Sequence, residues 1–183
     1  MDEPEVLEQE ARFCTVLLSL GSNLGDRVRY LERALEQLRR EIRIERVSSI
    51  YETRPVGDLD QPWYLNLVCM ATTSLKPRAL LEYINAIEAA LGRKRGGERN
   101  AARTIDIDIL AYDDRIIDEP DLEIPHPRVT ERGFVLEPLV EIAPEWRHPS
   151  EGRTAMELRK DVIDDVVRPY ADPPPVLAAA PFL

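Results

Sequence analysis

The sequence predicts an α+β domain with a ferredoxin-like βαββαβ core, in which an antiparallel sheet carries two helices on one face. Three observations support this fold class. The chain has 183 residues, of which 44% are hydrophobic, as expected for one globular domain. Runs with strand-like and helix-like periodicity follow one another in the order that this core requires. Finally, long polar loops separate these runs, and further helical segments follow them as C-terminal additions.

The first strand and helix are predicted by a change in periodicity near residue 22. Residues 13–20 form an apolar, β-branched run that ends in Gly-Ser-Asn, which is typical of a strand followed by a turn. Asp26 then occupies the position of a helix N-cap. The apolar residues that follow recur at helical spacing. They are Val28, Leu31, Leu35 and Leu38.

The rest of the core contains two strands, a helix and a last strand. The segment IRIERVSSIYET alternates and is predicted to be the second strand, and YLNLVCMATTSL is predicted to be the third. The loop RPVGDLDQPW joins them. Pro77 lies in the first turn of the second helix, which ends near Gly92, as the preferences of proline and glycine favour. The segment TIDIDILAYDD is the fourth strand.

Shorter elements are predicted after the core. The segment RIIDEPDLEIPHPRV indicates a short extended stretch and a loop. A helix is predicted in TERGFVLEPLVEIAP, capped by Thr130 and bent or ended by Pro138, and a last short helix in TAMELRKDVID. The predicted domain organisation is a polar extension at 1–12, a single domain at 13–168 and a loose Pro/Ala-rich tail at 169–183.

The composition disfavours several classes of function. A net charge of −10 repels nucleic acid, and no apolar run has the length needed to cross a bilayer. The acidic start MDEPEVLEQEAR is unlike a secretory signal, so we expect a cytoplasmic protein. Cys14 and Cys69 lie in apolar runs with no cysteine or histidine close in sequence, and we expect both to be buried thiols.

Positive charge is nevertheless concentrated in one segment of this acidic chain. Residues 92–103 contain one acid, Glu98, and five basic residues. The basic residues are Arg93, Lys94, Arg95, Arg99 and Arg103. Guanidinium groups bind phosphate oxygens in pairs and keep their charge. The cluster therefore indicates a small polyanionic ligand.

Two carboxylates lie in the strand that follows this cluster. Side chains alternate along a strand, so Asp106 and Asp108 share one face while the isoleucines of RTIDIDIL share the other. Neighbouring carboxylates repel, and Mg²⁺ relieves the repulsion while binding substrate phosphates. The alternative is a solvated strand with two ordinary acids. The adjacent basic cluster favours a site for a metal and a nucleotide.

Three further features each allow a functional and a structural interpretation. The turn LGSNLGDR could cradle a phosphate or merely provide positive φ and a helix cap. Proline flanks His126 on both sides, which orients its ring, although a loop histidine is more often a surface residue. Tyr64 and Asn66 share a face and could bind a flat heterocycle or simply pack in the sheet. The sequence has no Walker A, dinucleotide-binding or protein-kinase motif.

The motifs in this order resemble those of a known family. LSLGSNLGDR, YETRPVGDLDQPWYLN, RTIDIDIL and IPHPRVTERGFVLEPLVEIAP are similar to segments of the 6-hydroxymethyl-7,8-dihydropterin pyrophosphokinases of folate biosynthesis, over about residues 14–149. The resemblance implies a ferredoxin-like fold with long catalytic loops. It implies transfer of pyrophosphate from ATP to the hydroxymethyl group of the reduced pterin, with release of AMP and with two Mg²⁺ ions as cofactors.

The resemblance also implies roles for individual residues. Asp106 and Asp108 correspond to the metal ligands, and Arg93 and Arg103 to the arginines that clamp the phosphates; these four form the predicted catalytic set. The residues that correspond to further ATP contacts are Arg95, His126 and Arg132. Phe134 corresponds to an aromatic residue that stacks on the pterin. The rest of the predicted pterin pocket is Gly21, Thr53, Arg54, Pro55, Val56, Tyr64 and Asn66.

The chain departs from the family pattern at three places. Asn100, Ala101 and Ala102 replace a usual Trp-Gly-Pro, Pro127 replaces a frequent aromatic residue, and Arg54 replaces a common proline. The metal pair and the arginines are retained, so we predict a retained reaction with a weaker KM for the pterin. Expected partners are ATP and the pterin, with no nucleic acid and no membrane, and the chain is expected to be a monomer.

Two alternative functions remain open at the level of sequence. A nucleotidyltransferase on the same fold would use the aspartate pair and release pyrophosphate instead of AMP. A ferredoxin-like binding module that has lost catalysis would bind pterin and ATP without turnover. The identity of the nucleotide product distinguishes the three functions.

Overall fold

The fold is built on a central antiparallel sheet. The computed structural model describes residues 12–55, 60–93, 102–163 and 166–175. The strands within these residues are β1 Cys14–Ser22, β2 Arg43–Val47, β3 Ile50–Thr53, β4 Tyr64–Thr73, β5 Asp106–Tyr112, β6 Ile117–Glu119, β7 Leu122–Ile124 and β8 Val167–Ala171. The helices are α1 Arg27–Leu38, α2 Pro77–Ala90, α3 Gly133–Ile142 and α4 Ala155–Asp161.

The strand order confirms the predicted fold class. The main sheet runs β5-β1-β4-β3-β8, and β2 pairs with the other half of β4. Every pairing in it is antiparallel. If β2 and β3 are counted as one strand, the first, third and fourth core strands lie side by side as a ferredoxin-like core requires. A separate hairpin of β6 and β7 follows β5.

Helices α1 and α2 cover one face of the sheet. Their buried residues include Leu31, Leu35 and Leu38 from α1, and Leu80, Ile84 and Ile87 from α2. They pack in one cluster with Ile105, Ile107 and Ile109. The Asp26 side chain caps α1 by accepting the Arg29 N–H at 3.2 Å, as predicted. Gly92 follows α2 with φ of +84°, a conformation that glycine adopts without strain.

Helices α3 and α4 cover half of the opposite face. Leu136 and Leu139 of α3 pack with Leu158 of α4 against Leu17 and Val68 of the sheet. The predicted C-terminal helical additions are therefore present, and they give the sheet a second core. Toward the other ends of β1, β4 and β5 the same face carries polar side chains instead, and that half is where the candidate site lies.

The predicted second strand is in fact two strands. The break lies at Ser48 and Ser49, between β2 and β3. The Ser48 N–H donates to the Val68 carbonyl at 2.9 Å, while the Val68 N–H donates to the Ser48 hydroxyl at 3.0 Å. A side-chain oxygen thus replaces a main-chain acceptor in the ladder, which allows the strand to kink without leaving a buried N–H unpaired.

Helix α3 differs from its prediction at its N-terminus. Thr130 lies in a short 3₁₀ turn, Val129–Glu131, and the N-cap of α3 is Arg132, which makes no side-chain cap hydrogen bond. The predicted Thr130 cap is therefore wrong. Pro138 lies inside α3 and does not end it, since the helix continues to Ile142. Proline removes one main-chain donor, and packing of α3 on the sheet outweighs that loss.

Two other segments are more ordered than predicted. The stretch after β5 forms the hairpin of β6 and β7. Strand β8 crosses the predicted boundary at residues 168 and 169 and pairs with β3. Among the described residues, no helix combines the length and the apolar composition needed to cross a bilayer.

Both cysteines lie within the apolar core on β1 and β4, as expected. Cys14 and Cys69 are free thiols and buried. Burial raises the pKa of the Cys69 thiol to about 12, because the thiolate would lose its hydration. This thiol is therefore protonated and unreactive at neutral pH.

Candidate active site

The carboxylate pair lies at the end of β5 on the half of the sheet that α3 leaves uncovered. Asp106 pairs with Gly21 of β1, and Gly21 pairs with Asn66 of β4, so the three residues form one row across the sheet. The side chains of Asp106 and Asp108 are 26% and 36% exposed. Alternation along the strand therefore directs both carboxylates toward the cavity, as predicted.

Glycine is required at the centre of this row. A Cβ atom at position 21 would lie 2.7 Å from the Oδ1 atom of Asn66, closer than atoms can approach. The Asn66 side chain is buried and its Nδ2 donates to the Thr53 hydroxyl at 2.7 Å. Because Gly21 has no side chain, the Asn66 amide has room to point toward the cavity.

Two arginines bind Asp106, one at each carboxylate oxygen. The Nη1 atom of Arg93 lies 2.5 Å from Oδ1, and Nη1 of Arg103 lies 3.1 Å from Oδ2. Arg93 lies three residues after the end of α2, and Arg103 lies three residues before the start of β5. The helix end and the strand start therefore bring both cations to the same carboxylate, which produces the cluster of opposite charges that the sequence predicts.

A buried glutamate, Glu88, binds Arg93 in this cluster, and sequence reasoning did not predict it as a site residue. It is 2% exposed, and its Oε1 accepts the Ile107 N–H at 2.8 Å and the Arg93 guanidinium. Burial raises the pKa of Glu88 above its usual range, against the opposing effects of the Ile107 N–H and Arg93. The sequence signal is an acid four residues after Ile84, on the apolar face of α2, where an unpaired charge would be costly.

Asn23 is a second residue that sequence reasoning missed. It is fully buried, and its Oδ1 accepts the Arg103 N–H at 2.8 Å while its own N–H donates to the Arg103 carbonyl at 3.2 Å. Its Nδ2 donates to Gln61 Oε1 at 3.2 Å and to the Pro62 carbonyl at 3.3 Å. In the turn LGSNLGDR, this asparagine therefore ties Arg103 to the segment that leads into β4.

Asp108 faces a different pair of groups, a histidine and an arginine. Its Oδ2 lies 3.8 Å from Nε2 of His126 and 3.7 Å from Nη1 of Arg132. The other ring nitrogen of His126, Nδ1, accepts the Arg128 N–H at 3.0 Å, so the ring proton of the neutral histidine lies on Nε2, toward Asp108. The loop after β7 and the start of α3 thus bring a donor and a cation to the second carboxylate.

The electrostatics of this pair are dominated by burial. Burial raises the pKa of Asp108 to about 7, and the negative charge of Asp106 acts in the same direction. Burial lowers the pKa of His126 to about 4, and the positive charge of Arg132 acts in the same direction. At neutral pH, His126 is therefore a neutral hydrogen-bond donor at Nε2.

These groups surround a cavity of about 250 Å³. Every predicted site residue that the structure describes lines it, whereas Arg95 and Val56 lie outside the described residues. The lining residues that were predicted are Gly21, Thr53, Arg54, Pro55, Tyr64, Asn66, Arg93, Arg103, Asp106, Asp108, His126, Arg132 and Phe134. The lining residues that were not predicted are Ser19, Gln61 and Arg128.

The walls of this cavity differ in chemistry. Tyr64, Phe134 and Pro55 supply apolar surface beside the amide of Asn66, a combination suited to a flat polar ring. The arginines and carboxylates form the wall on β5. The guanidinium of Arg132 lies 5.5 Å from the centre of the Phe134 ring, at the junction of the two walls.

A second cavity of about 320 Å³ adjoins the first. Asp108 and His126 line both cavities. The other residues of the second cavity include Leu81, Ile109, Leu122 and Pro127, with acids at its rim from the hairpin of β6 and β7. The shared wall makes it possible for two ligands, or for two parts of a ligand, to meet beside the carboxylate pair.

The carboxylates of this site suit Mg²⁺ better than a metal ion whose coordination is filled by protein side chains. Among the described residues, no group of three or more His, Cys, Asp or Glu side chains could hold a metal ion. Mg²⁺ binds readily through one or two carboxylates while water and substrate phosphates fill its other positions. Asp106 and Asp108, surrounded by arginines, fit an ion that arrives with a phosphate ligand.

Known proteins resemble this chain over most of its length. The family model for 7,8-dihydro-6-hydroxymethylpterin-pyrophosphokinase (HPPK) matches residues 17–144. The 2-amino-4-hydroxy-6-hydroxymethyldihydropteridine pyrophosphokinase of Aquifex aeolicus is 41% identical over 147 residues, which are 80% of this chain and 91% of that protein. The protein of the same name from Methylorubrum extorquens is 48% identical over 130 residues, 70% of this chain and 82% of that protein.

Longer proteins contain a similar region. The folic acid synthesis protein fol1 of Pneumocystis carinii is 39% identical over 155 residues, which are 84% of this chain and only 21% of that protein. The solved structure of wild-type Plasmodium falciparum HPPK-DHPS with pteroate has a TM-score of 0.68 at 20% identity and covers 84% of this chain and 43% of that one. The structural likeness supports the fold. By sequence, the chain belongs to the 7,8-dihydro-6-hydroxymethylpterin-pyrophosphokinase family.

Proposed function

We propose that the two adjoining cavities transfer pyrophosphate from ATP to the hydroxymethyl group of 6-hydroxymethyl-7,8-dihydropterin, giving the pterin pyrophosphate and AMP. Membership of the pyrophosphokinase family supports this reaction. The observation that carries the proposal for this chain is the carboxylate pair, Asp106 and Asp108, held among three arginines where an aromatic recess meets a second cavity.

The pterin occupies the aromatic recess. Phe134 and Tyr64 offer surface on which its ring system can stack, and the Asn66 amide, fixed by Thr53, offers hydrogen bonds to the ring edge. A ligand held there places its hydroxymethyl group toward the β5 wall. The replacement of the usual Trp-Gly-Pro at residues 100–102 predicts a weaker pterin KM, and the variant Asn100→Trp tests whether the affinity rises.

ATP extends from the second cavity into the first. Leu81, Ile109 and Leu122 provide an apolar surface for the base, and the triphosphate passes the shared residues Asp108 and His126 toward the arginines. In this proposed pose the α-phosphate lies near the shared wall and the β-phosphate lies near the pterin hydroxyl. Binding then compensates the entropy lost when the two substrates are brought together. In phosphoryl-type transfers, such positioning is a large part of the rate enhancement.

The residues of the chain bind and orient the phosphates. Arg93 and Arg103, which bind Asp106 in the structure described here, exchange this partner for phosphate oxygens of the transferred group. His126 and Arg132 stabilise the charge on departing AMP, His126 by donating from Nε2. Asp106 and Asp108 would hold two Mg²⁺ ions, which when bound offset phosphate charge and lower the pKa of a coordinated hydroxyl group.

The first experiment is to incubate purified protein with ATP, Mg²⁺ and the pterin and to identify the nucleotide product. We expect AMP that depends on the pterin and that is lost in Asp106→Ala. The matched control is Asp118→Ala, which removes an exposed carboxylate from β6 and leaves the rate unchanged. Pyrophosphate in place of AMP would favour the nucleotidyltransferase, and binding of both ligands without AMP would favour the binding module.

The remaining expectations are also proposals. We propose that the enzyme acts in the cytoplasm, as a monomer, on small-molecule substrates alone. Sedimentation equilibrium in the presence of both substrates tests this, and a dimer at catalytic concentrations would contradict it.

A further inference from the structure

Strand β8 brings the C-terminal part of the chain to the edge of the pterin recess. It lies beyond residues 17–144, which the family model matches. It pairs antiparallel with β3, so that Arg168 is opposite Glu52 and Val167 is opposite Thr53. Val167 is half-buried and the other residues of β8 are exposed. Because β8 buries little apolar surface, its influence on the recess depends on its polar and aromatic contacts.

The guanidinium of Arg168 is held by Glu52. Its Nε and Nη2 atoms lie 3.1 and 2.5 Å from Oε2 of Glu52. The other oxygen of Glu52 accepts Nη1 of Arg27 at 3.0 Å. The side chain of Glu52 is 13% exposed and that of Arg168 is 61% exposed, so the pair adds little to overall stability. Arg27 nevertheless fixes the direction of the Glu52 carboxylate, and the carboxylate in turn positions Arg168.

Arg168 also stacks on Trp63. Its Cζ atom lies 4.7 Å from the centre of the Trp63 ring, within the range of a cation–π interaction. Nη1 of Arg27 donates to the Trp63 carbonyl at 2.7 Å. The ring and the main chain of this tryptophan are therefore both held by arginines that bind Glu52. Trp63 directly precedes Tyr64, which lines the recess.

We propose that Arg168 is a positioning residue for pterin binding. It does not line the cavity, and it acts through Glu52 and Trp63 on the two segments that carry Thr53 and Tyr64. The identity of the ligand rests on the function proposed above. Arg168 makes none of its described contacts with the carboxylates of β5, so its effect falls on affinity for the pterin and leaves the transfer step unchanged.

The test compares Arg168→Ala and Arg168→Lys with the parent protein. Lysine keeps the ion pair with Glu52 but lacks the planar group that stacks on Trp63. For Arg168→Ala we expect the pterin KM, and its Kd measured with a non-hydrolysable ATP analogue and Mg²⁺, to rise about two- to fivefold. The kcat and the ATP KM are unchanged, and the lysine variant is intermediate. Arg43→Ala, which removes an exposed arginine paired with Glu45 on β2, is the matched control and leaves all constants unchanged.

A second readout needs no substrate. In a Trp146→Phe background, Trp63 is the remaining tryptophan, and its emission shifts to longer wavelength when Arg168 is replaced by alanine. An emission shift with an unchanged pterin Kd would overturn the proposal. The proposal would also be overturned if Arg168→Ala lowered kcat, pterin affinity and ATP affinity equally, by the fraction of the protein that is unfolded. If the parent protein forms no AMP, the proposed function fails, and the pterin Kd with Trp63 emission still decides the role of Arg168.

Discussion

At the scale of the residue, one buried acid organises the cationic side of the site. Glu88 accepts the main-chain N–H of Ile107, between the two aspartates, and also binds Arg93. It therefore links the end of α2, the start of β5 and a predicted phosphate-binding arginine in a single contact network. Such a network keeps Arg93 near Asp106 before any ligand is bound, which lowers the cost of assembling the site.

We predict that Glu88→Gln lowers kcat/KM about 10- to 100-fold, the usual effect of losing a residue that orients the groups around a metal ligand. Glutamine keeps an acceptor for the Ile107 N–H but removes the charge that balances Arg93, and loss of one partner of a buried ion pair is strongly destabilising. Arg93 is 23% exposed and retains Asp106, so the free energy of unfolding falls by about 1–3 kcal/mol, less than for a fully buried pair. Steady-state kinetics and urea unfolding measure the two effects. Glu82→Gln, on the exposed face of α2, is the control, and an equal effect there would contradict the role of Glu88.

A second prediction at this scale concerns Gly21. The substitution Gly21→Ala forces the Asn66 amide to move, since the new Cβ would lie 2.7 Å from Oδ1. We expect the pterin Kd to rise about tenfold, which corresponds to the loss of one well-formed hydrogen bond to a buried group. In the Asn66→Ala background, the same substitution should have a much smaller effect. Additive effects in this double-mutant cycle would show that the two residues act independently.

At the scale of the element, the sequence predicts best where a regular pattern is complete within a segment. Alternation in TIDIDILAYDD is enough to place both aspartates on one face, and periodicity with Asp26 and Pro77 predicts both core helices. The break at Ser48 was missed because alternation continues across it, and its hydrogen bonds come from β4. Strand β8 was missed because its partner β3 is more than a hundred residues away and Pro169 suggests a loop.

Pairing of β3 with β8 also predicts a pH effect. The hydrogen bond from Arg168, together with that from Arg27, holds the pKa of Glu52 below its usual range. A carboxylate with a lowered pKa in the folded state adds stability that is present above its unfolded pKa, near 4.5, and is lost as the pH falls below it. Replacing Glu52 by glutamine should remove about 1 kcal/mol or less of this contribution at pH 7 and less than that at pH 3. Thermal unfolding across this range measures it, and a difference that grows toward acid would contradict the sign.

At the scale of the whole molecule, a single sheet lies between two apolar cores. Leu35 belongs to the core beneath α1 and α2, whereas Leu136 belongs to the core beneath α3 and α4. The site lies where the second core ends, and Phe134 at the start of α3 contributes to one wall of the cavity. This overall arrangement follows from the sequence, but the joint use of Asp108 and His126 by two cavities depends on long-range packing that no local pattern encodes.

We predict that the two cores unfold together because they share the strands of the sheet. Leu35→Ala and Leu136→Ala should each lower the free energy of unfolding by about 2–5 kcal/mol without creating an intermediate. In a Trp63→Phe background, far-ultraviolet circular dichroism and the fluorescence of Trp146, which packs against the second core, should give coincident transitions. A separate early transition of Trp146 in Leu136→Ala would instead mean that α3 and α4 detach as a unit.

The position of β8 at the margin of the main sheet has a consequence for solubility. Without it, β3 would present unpaired N–H and carbonyl groups beside Ile50, which is the kind of margin that pairs with other chains. With it, the sheet ends in a strand that carries an arginine and a proline, and proline cannot donate to an incoming strand. The C-terminal strand thus protects the molecule from self-association, and a chain shortened before residue 166 should precipitate at concentrations where the full chain remains in solution.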